Sequence, residues 1–427
     1  VSFSPVIAWA FDGPPAGAAA AKARLLLLDS LGCALAGLAH PRVAGFARAM
    51  QAAFPGEVAL AGARLAPGAA AAVLAAATCW DEANEGLARA HGRPALPVAA
   101  IALVARAQGM DAATTLAGFA LGYEVAARAG EVFRIRPGMH VDGAWHSLGA
   151  AACAARLAGL DAEGIGRAVR LAACQIPFSL YAPIAAGMDG RNSYASHAAL
   201  LGHLAAAAAA AGMDAPEAGF AEARRIALGL DAPAAMHPPG DWLLEEAYLK
   251  PFAGVRHAHY AAAAALALRA RVSATPARIE LATYAEALRY AGNRAPLAAI
   301  AAQFSLSWAV AAALAQGDLG PAAYTEAALA DPRLRALEAA VVLVEDPALT
   351  ASGQRGATLT IDGASARVEG VTGDRDRPMT EAEASRKFAR FASPVLGEAG
   401  TARAIAALLQ DAPAAGLLDR SPDVQFD

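Results

Sequence analysis

The chain has 427 residues, and its 35 Lys and Arg against 39 Asp and Glu leave a net charge of −4, so there is no overall basic field for gripping nucleic acid or an anionic membrane. At about three times the usual domain length it has room for more than one structural unit and a large core. Charged residues are 17 % and the apolar set 57 %, which excludes a disordered chain; much of that apolar share is alanine, a strong helix former and a weak hydrophobe.

The apolar runs Gly68–Trp80 and Ala205–Ala211 are short or poor in Leu, Ile and Phe, so no membrane-spanning helix is expected and the chain reads as soluble. Cys33, Cys79, Cys153 and Cys174 lie in Ala/Leu surroundings without a CxxC pair, which predicts buried reduced thiols and a cytoplasmic location. The opening VSFSPVIAWAFDGPP lacks the basic start and long apolar core of a signal peptide, in keeping with that expectation.

From Pro15 to about Leu243 one apolar-periodic stretch follows another, broken by Gly, Pro and Asp: Ala18–Gly37, Val43–Phe54, Pro67–Ala83, Leu96–Ala107, Ala112–Ala129, Ala144–Leu157, Ala162–Ala173, Ser196–Ala211 and Ala218–Leu228. Periods near 3.6 with many small residues predict closely approaching helices and an all-α body. The character changes around Pro238-Pro239-Gly240. After a helix near Arg256–Arg271, the alternating stretch Arg278–Tyr284 predicts a strand, Ala340–Val344 another, and Ala357–Ile361, Asp362-Gly363, Ala364–Glu369 a hairpin. From Thr380 to Leu409 helical character returns, so the tail is expected to rejoin the body. The domain expectation is therefore a helical domain from 1–245 and 380–427, with an inserted α+β region at 246–379.

Four clusters could carry chemistry. In Trp80–His91 a continuing helix would put Asp81, Glu85 and Arg89 along one face, either as a solvated salt ladder or as an acidic Mg²⁺ and diphosphate motif of the isoprenoid-synthase kind. No second acidic motif accompanies it. In Arg134–His146 a Gly-rich loop with two histidines precedes a helix, where a neutral imidazole base is favoured over a metal site for lack of a third ligand. In Gly187–His197, Arg191 stands just before a helix beginning near Asn192 or Ser193 and could share an anion with its amides. In Lys250–Tyr260, Lys250, Arg256 and the first-turn amides of the next helix could converge on a carboxylate or phosphate, with His257 and His259 beside them. The blander readings are a loop-capping histidine, a solvated Arg191 and a solvated helix entry.

Together these clusters resemble the MmgE/PrpD family, which includes 2-methylcitrate dehydratase, cis-aconitate decarboxylase and iminodisuccinate epimerase. The resemblance runs from Leu25–Gly37 through Asp81–His91, Pro94–Ala99, Gly122-Tyr-Glu124, His140 with Leu148-Gly-Ala-Ala, Ala198-Ala with Gly202, Lys250-Pro-Phe with His259, and Gln303-Phe-Ser305, to Lys387-Phe388. It implies a helical domain made from both chain ends, an inserted α+β lid, a homodimer, and an active site between domain and lid that works without metal or organic cofactor. Asp81 stands at the family's active-site Asp, His91 and His140 at its two His positions, and Lys250 at its lid-entry Lys. The chain departs from the family at Ala83-Asn84 (an acidic pair), Glu85 (a Thr), Arg191 (a Lys), Tyr194 (often His), Val255 (His or Cys) and Trp308 (Tyr).

The resemblance implies a hydro-lyase acting on a small di- or tricarboxylic acid through a carbanion beside a carboxylate. On this reading His140 is the base, His91 the acid or a substrate ligand, Asp81 the carboxylate that orients an imidazole, and Lys250 with Arg191 the carboxylate clamps. Arg256, Tyr194, Trp308 and Glu85 complete the expected substrate surroundings. An epimerase or decarboxylase on the same scaffold, a Mg²⁺-dependent prenyl-type enzyme depending on Asp81 and Glu85, and a non-catalytic polycarboxylate-binding protein are the alternatives.

Overall fold

The computed structural model describes residues 2–232, 234–271 and 278–418, so residues 1, 233 and 419–427 of the expected helical domain and 272–277 of the expected inserted region lie outside it. The structure is mainly α-helical. The main helices before residue 230 are Gly17–Leu38, Pro41–Ala53, Pro67–Trp80, Ala95–Ala107, Ala112–Val132, His146–Leu157, Ala162–Ala173, Tyr194–Ala210 and Gly219–Leu228. They agree with the periodic stretches to within a few residues, and a short helix Ser4–Asp12 precedes them. One correction concerns the body: Pro55–Leu60 and Ala63–Leu65 form a small antiparallel ribbon around Ala61-Gly62, both in left-handed conformations. Too short for a clear alternation, this ribbon left no strand signal.

Alanine and glycine set how closely the helices approach. A Cβ at Gly37 would lie 2.1 Å from the Ala77 carbonyl oxygen, so helices Gly17–Leu38 and Pro67–Trp80 touch backbone to backbone. Gly122 and Gly149 do the same reciprocally, each within 2.4–2.7 Å of the other's carbonyl if given a Cβ. Such contacts explain a core rich in Ala: larger side chains would push these helices apart.

Two hydrophobic cores are present. The first contains the helices before residue 230, together with Leu243, Leu244 and the tail helix Glu381–Leu409. That tail helix starts in a capping box, with Thr380 N–H donating to Glu383 and Glu383 N–H to Thr380 Oγ1, and it bends at Gly397. The second core gathers residues from Phe252 to Val371, with Cys33, Ala83 and Phe391 reaching in from the first. Its sheet runs in the order Val341–Glu345, Ile279–Thr283, Ala357–Ile361, Ala364–Val368. The first pair is parallel and the other two antiparallel. The hairpin turns at Asp362 and Gly363, both with positive φ as a type I′ turn requires, and helices Ala258–Leu268 and Leu306–Gln316 pack in the same core. Among the described residues no single helix is long and apolar enough to cross a membrane.

We expect Gly37→Ala to cost roughly 2–3 kcal/mol in urea unfolding, because the new methyl meets backbone that cannot yield without moving a helix. A loss within the error of the measurement would show that this helix pair slips freely.

Candidate active site

Helix Pro67–Trp80 stops at Trp80, and the chain then runs through a non-helical segment in which Glu82 (φ 53°) and His91 (φ 51°) are left-handed. This corrects the helical salt ladder expected for Asp81, Glu85 and Arg89. Arg89 instead pairs with Glu131 and Glu246, and Glu85 is buried with Oε1 accepting the Ala95 N–H at 2.9 Å. Burial raises Glu85 to about 8, so it is mostly neutral at pH 7. The acidic pair needed for a shared Mg²⁺ is therefore not formed by these two side chains.

Carbonyls past the end of a buried helix need donors. Here four in succession receive them from distant parts of the chain. Gln303 Nε2 donates to Trp80 O (2.9 Å), Gly254 N–H to Asp81 O (2.9 Å), Lys250 Nζ to Glu82 O (2.7 Å) and Lys387 Nζ to Ala83 O (2.7 Å). The segment is thereby fixed between the two cores, and the Gly86–Tyr248 bridge extends the attachment.

Around Glu82 a buried ionic centre assembles. Its carboxylate is held by Arg191, by Arg93 Nη1 at 3.0 Å and by Lys250 Nζ at 3.1 Å. Asp142 pairs with Arg93 and, at 3.0 Å, with Arg191. Cys79 Sγ accepts from Arg191 at 2.9 Å and Arg93 at 3.2 Å, yet burial keeps its thiol pKa above the ordinary value. The cations hold the Glu82 and Asp142 carboxyls well below the usual carboxylate range despite burial. Burial lowers Lys250 from its ordinary range while Glu82 opposes the shift; with Lys250 charged, three cations against two carboxylates leave one positive charge in surplus.

His140 stands at the edge of this centre. Its Nδ1 accepts the Asp142 N–H at 3.1 Å and lies 3.8 Å from the Asp142 carboxylate. An N–H can only donate, so the neutral ring carries its proton on Nε2. Burial lowers His140 to about 4, and its ring lies 6.1 Å from that of Tyr181 and 6.0 Å from that of Tyr194. Tyr194 OH itself donates to Leu180 O at 3.0 Å. Asp142, two residues on from His140, is thus the carboxylate beside the imidazole, which corrects the expectation for Asp81. Asp81 is buried, and nothing offsets the desolvation that raises it to about 7.

Arg191, Lys250 and His140 are brought together. Arg256 does not join them at Glu82: it pairs with Asp374 and its guanidinium lies 4.1 Å from the Tyr248 ring centroid, although it and Lys250 both act electrostatically on His257 and His259. Trp308 is also corrected, being fully buried in the second core with Nε1 donating to Ala323 O at 2.9 Å. Cys174 proves exposed, not buried. His91 is exposed, its imidazole lowered first by partial burial and then by Arg134 and Arg355. Its loop adjoins that of His140, since a Cβ at Gly92 would lie 2.8 Å from Trp145 and 3.3 Å from Val141.

Several residues escaped the sequence reading. Arg93, Glu82 and Asp142 form the centre itself; Asp142 lay two positions from a noted histidine, and Arg93 two positions after His91. His146, at the start of its helix, is fully buried on Trp145 at 3.8 Å and lowered to about 4 by burial. Arg355, just before the hairpin, acts electrostatically on His91, His257, Tyr248 and Tyr284, and among the described residues has no acidic side chain in ion-pair contact. A cleft of about 670 Å³ opens nearby, lined by residues including His40, Trp80, Asn192, Ile300, Gln303 and Tyr324. Among the described residues no three His, Cys, Asp or Glu side chains are grouped to share a metal ion.

The sequence model of the MmgE/PrpD N-terminal domain matches residues 6–231, and that of the MmgE/PrpD C-terminal domain matches residues 252–411. The chain belongs to the MmgE/PrpD family. Members of the MmgE/PrpD family are generally enzymes, among them dehydratases, decarboxylases and epimerases. A comparison with curated proteins gives no match.

The Asp81 carboxyl gives a pH test. Its folded value of about 7 lies above its ordinary 3.8, so the stability it contributes is fully present below pH 3.8 and is lost as pH rises through 7. Asp81→Asn should be close to neutral at pH 4 and stabilising at pH 8, on the order of 2–4 kcal/mol in urea melts. Equal effects at both pH values would mean that Asp81 ionises normally.

Proposed function

We propose that this MmgE/PrpD protein is a lyase of the hydro-lyase type acting on a small di- or tricarboxylic acid through a carbanion beside a carboxylate. The observation that carries the reading is the buried convergence of Arg93, Arg191 and Lys250 beside His140, whose Nε2–H has no protein acceptor among the described residues. A carbanion next to a carboxylate delocalises onto the carboxylate oxygens, and preorganised donors and positive charge in a dry site stabilise that oxyanion. The surplus positive charge and the His140 Nε2–H are suited to this.

On this reading His140 acts as a neutral donor to the developing oxyanion and not as the base. Proton transfer falls to His91, which is solvent-accessible and whose charged form is disfavoured first by partial burial and then by Arg134 and Arg355. Arg355 receives a further carboxylate of the acid. The region carrying the hairpin acts as the lid, and assembly as a homodimer belongs to the same proposal. An epimerase or decarboxylase would use the same donors and differ in the fate of the carbanion.

The test is turnover of a panel of citrate-like, aconitate-like and aspartate-derived acids by the purified protein. His91→Gln should lose roughly 10²–10⁴-fold in kcat. His140→Ala should lose about 10²–10³-fold, and His140→Gln, which keeps an N–H donor, should recover part of that loss. Arg355→Ala should raise KM more than it lowers kcat. Absence of turnover for the whole panel, or His91 and His140 variants with wild-type activity, would overturn the proposal.

A further inference from the structure

The ionic centre already contains carboxylates, and a count of hydrogen-bond donors shows what room is left. Arg93 spends Nη1 on Glu82 and Asn84, and Nη2 on Asp142 and Cys79. Arg191 spends one N–H of Nη2 on Glu82 and both of Nη1 on Asp142 and Cys79, while its unpartnered Nε is sealed from solvent. Lys250 has three N–H bonds and uses two, on the carbonyl and the carboxylate of Glu82. The donors left for a ligand include the third Lys250 N–H, the second N–H of Arg191 Nη2 and His140 Nε2–H, and the single surplus positive charge of the centre matches one carboxylate.

Glu82 also occupies a conformation that side-chain-bearing residues rarely adopt, at φ 53°. Backbone strain of this kind persists only where the surroundings over-determine it. Here three cations from three separate parts of the chain hold the side chain in place.

We infer that Glu82 is a specificity-determining residue, a built-in carboxylate that fills one of the anion places in the Arg93–Arg191–Lys250 centre, so that the substrate brings a single carboxylate to it. The inference rests on the carboxylic-acid reading above and adds how many carboxylates the centre itself accepts. An acid with two or more carboxylates then has to place the others outside the centre.

Glu82→Gln keeps the shape and removes the charge, raising the surplus of the centre from one positive charge to two. The experiment is calorimetric titration of wild type and Glu82→Gln with propanoate and with succinate. The expected result is a succinate-to-propanoate affinity ratio at least tenfold higher in Glu82→Gln than in wild type. An unchanged or lower ratio overturns the inference while leaving the carboxylic-acid reading intact. Failure of both acids to bind either protein overturns both.

If Glu82→Gln does not fold, the readout becomes refolding of Glu82→Ala with and without formate, which is small enough to take the vacated place. Formate-dependent recovery of folded protein that acetamide does not reproduce supports the inference. Equal recovery with acetamide, or none with formate, overturns it.

Discussion

The structure depends on how the C-terminal end of helix Pro67–Trp80 is satisfied. A helix end concentrates free carbonyls and partial negative charge, and burying it without donors would be costly. In this protein Trp80, Asp81, Glu82 and Ala83 each receive a donor, from Gln303, Gly254, Lys250 and Lys387. Gln303 and Gly254 belong to the region of the second core, Lys250 stands just before it, and Lys387 lies on the tail helix. The join between the two cores is therefore a hydrogen-bonding requirement of one helix as much as an apolar contact. Lys387 is further fixed by its ion pair with Asp29 on helix Gly17–Leu38, so the tail, that helix and the junction move together.

The same requirement creates the ionic centre. Lys250 caps the Glu82 carbonyl and grips the Glu82 carboxylate, which brings an anion between Arg93 and Arg191. Buried charges are tolerated only when paired and hydrogen-bonded, and Asp142 supplies the second carboxylate that the arginines need. Asp142 also presents its backbone N–H to His140, which fixes the tautomer of that ring. Position, charge and proton placement at the candidate site thus all follow from ending one helix at Trp80.

Much of the scaffold was legible. Helices such as Ala112–Val132 and Ala162–Ala173 announce themselves by apolar spacing, and the structure adds the Asp111 and Asp161 caps. The hairpin follows from Asp362-Gly363, because that dipeptide adopts the two left-handed conformations of a type I′ turn. The site was less legible for a definite reason. An i, i+4 spacing of Asp81 and Glu85 reads as one helical face, and nothing local signals that Glu82 and His91, neither of them glycine, will be left-handed. At Glu82 that conformation is held by Lys250 and Arg191, more than a hundred residues away. Arg191 and Lys250 were identifiable as cations entering helices, but their carboxylate partners were not, since a charge that will be buried looks the same in sequence as one that will be solvated. Trp308 illustrates the opposite error: a position implied by resemblance to face the substrate is filled here by a larger ring that belongs to the core.

The central claim is that Glu82 and Arg191 are coupled parts of one buried charge centre. The measurement that tests it most directly is a double-mutant cycle in urea unfolding with Glu82→Gln, Arg191→Met and the pair. Each single change should cost roughly 3–5 kcal/mol by leaving a buried charge uncompensated, and the double change should cost less than the sum by about 2 kcal/mol or more. Costs that add within about 0.5 kcal/mol would contradict the account, because they would mean that the two side chains do not depend on each other.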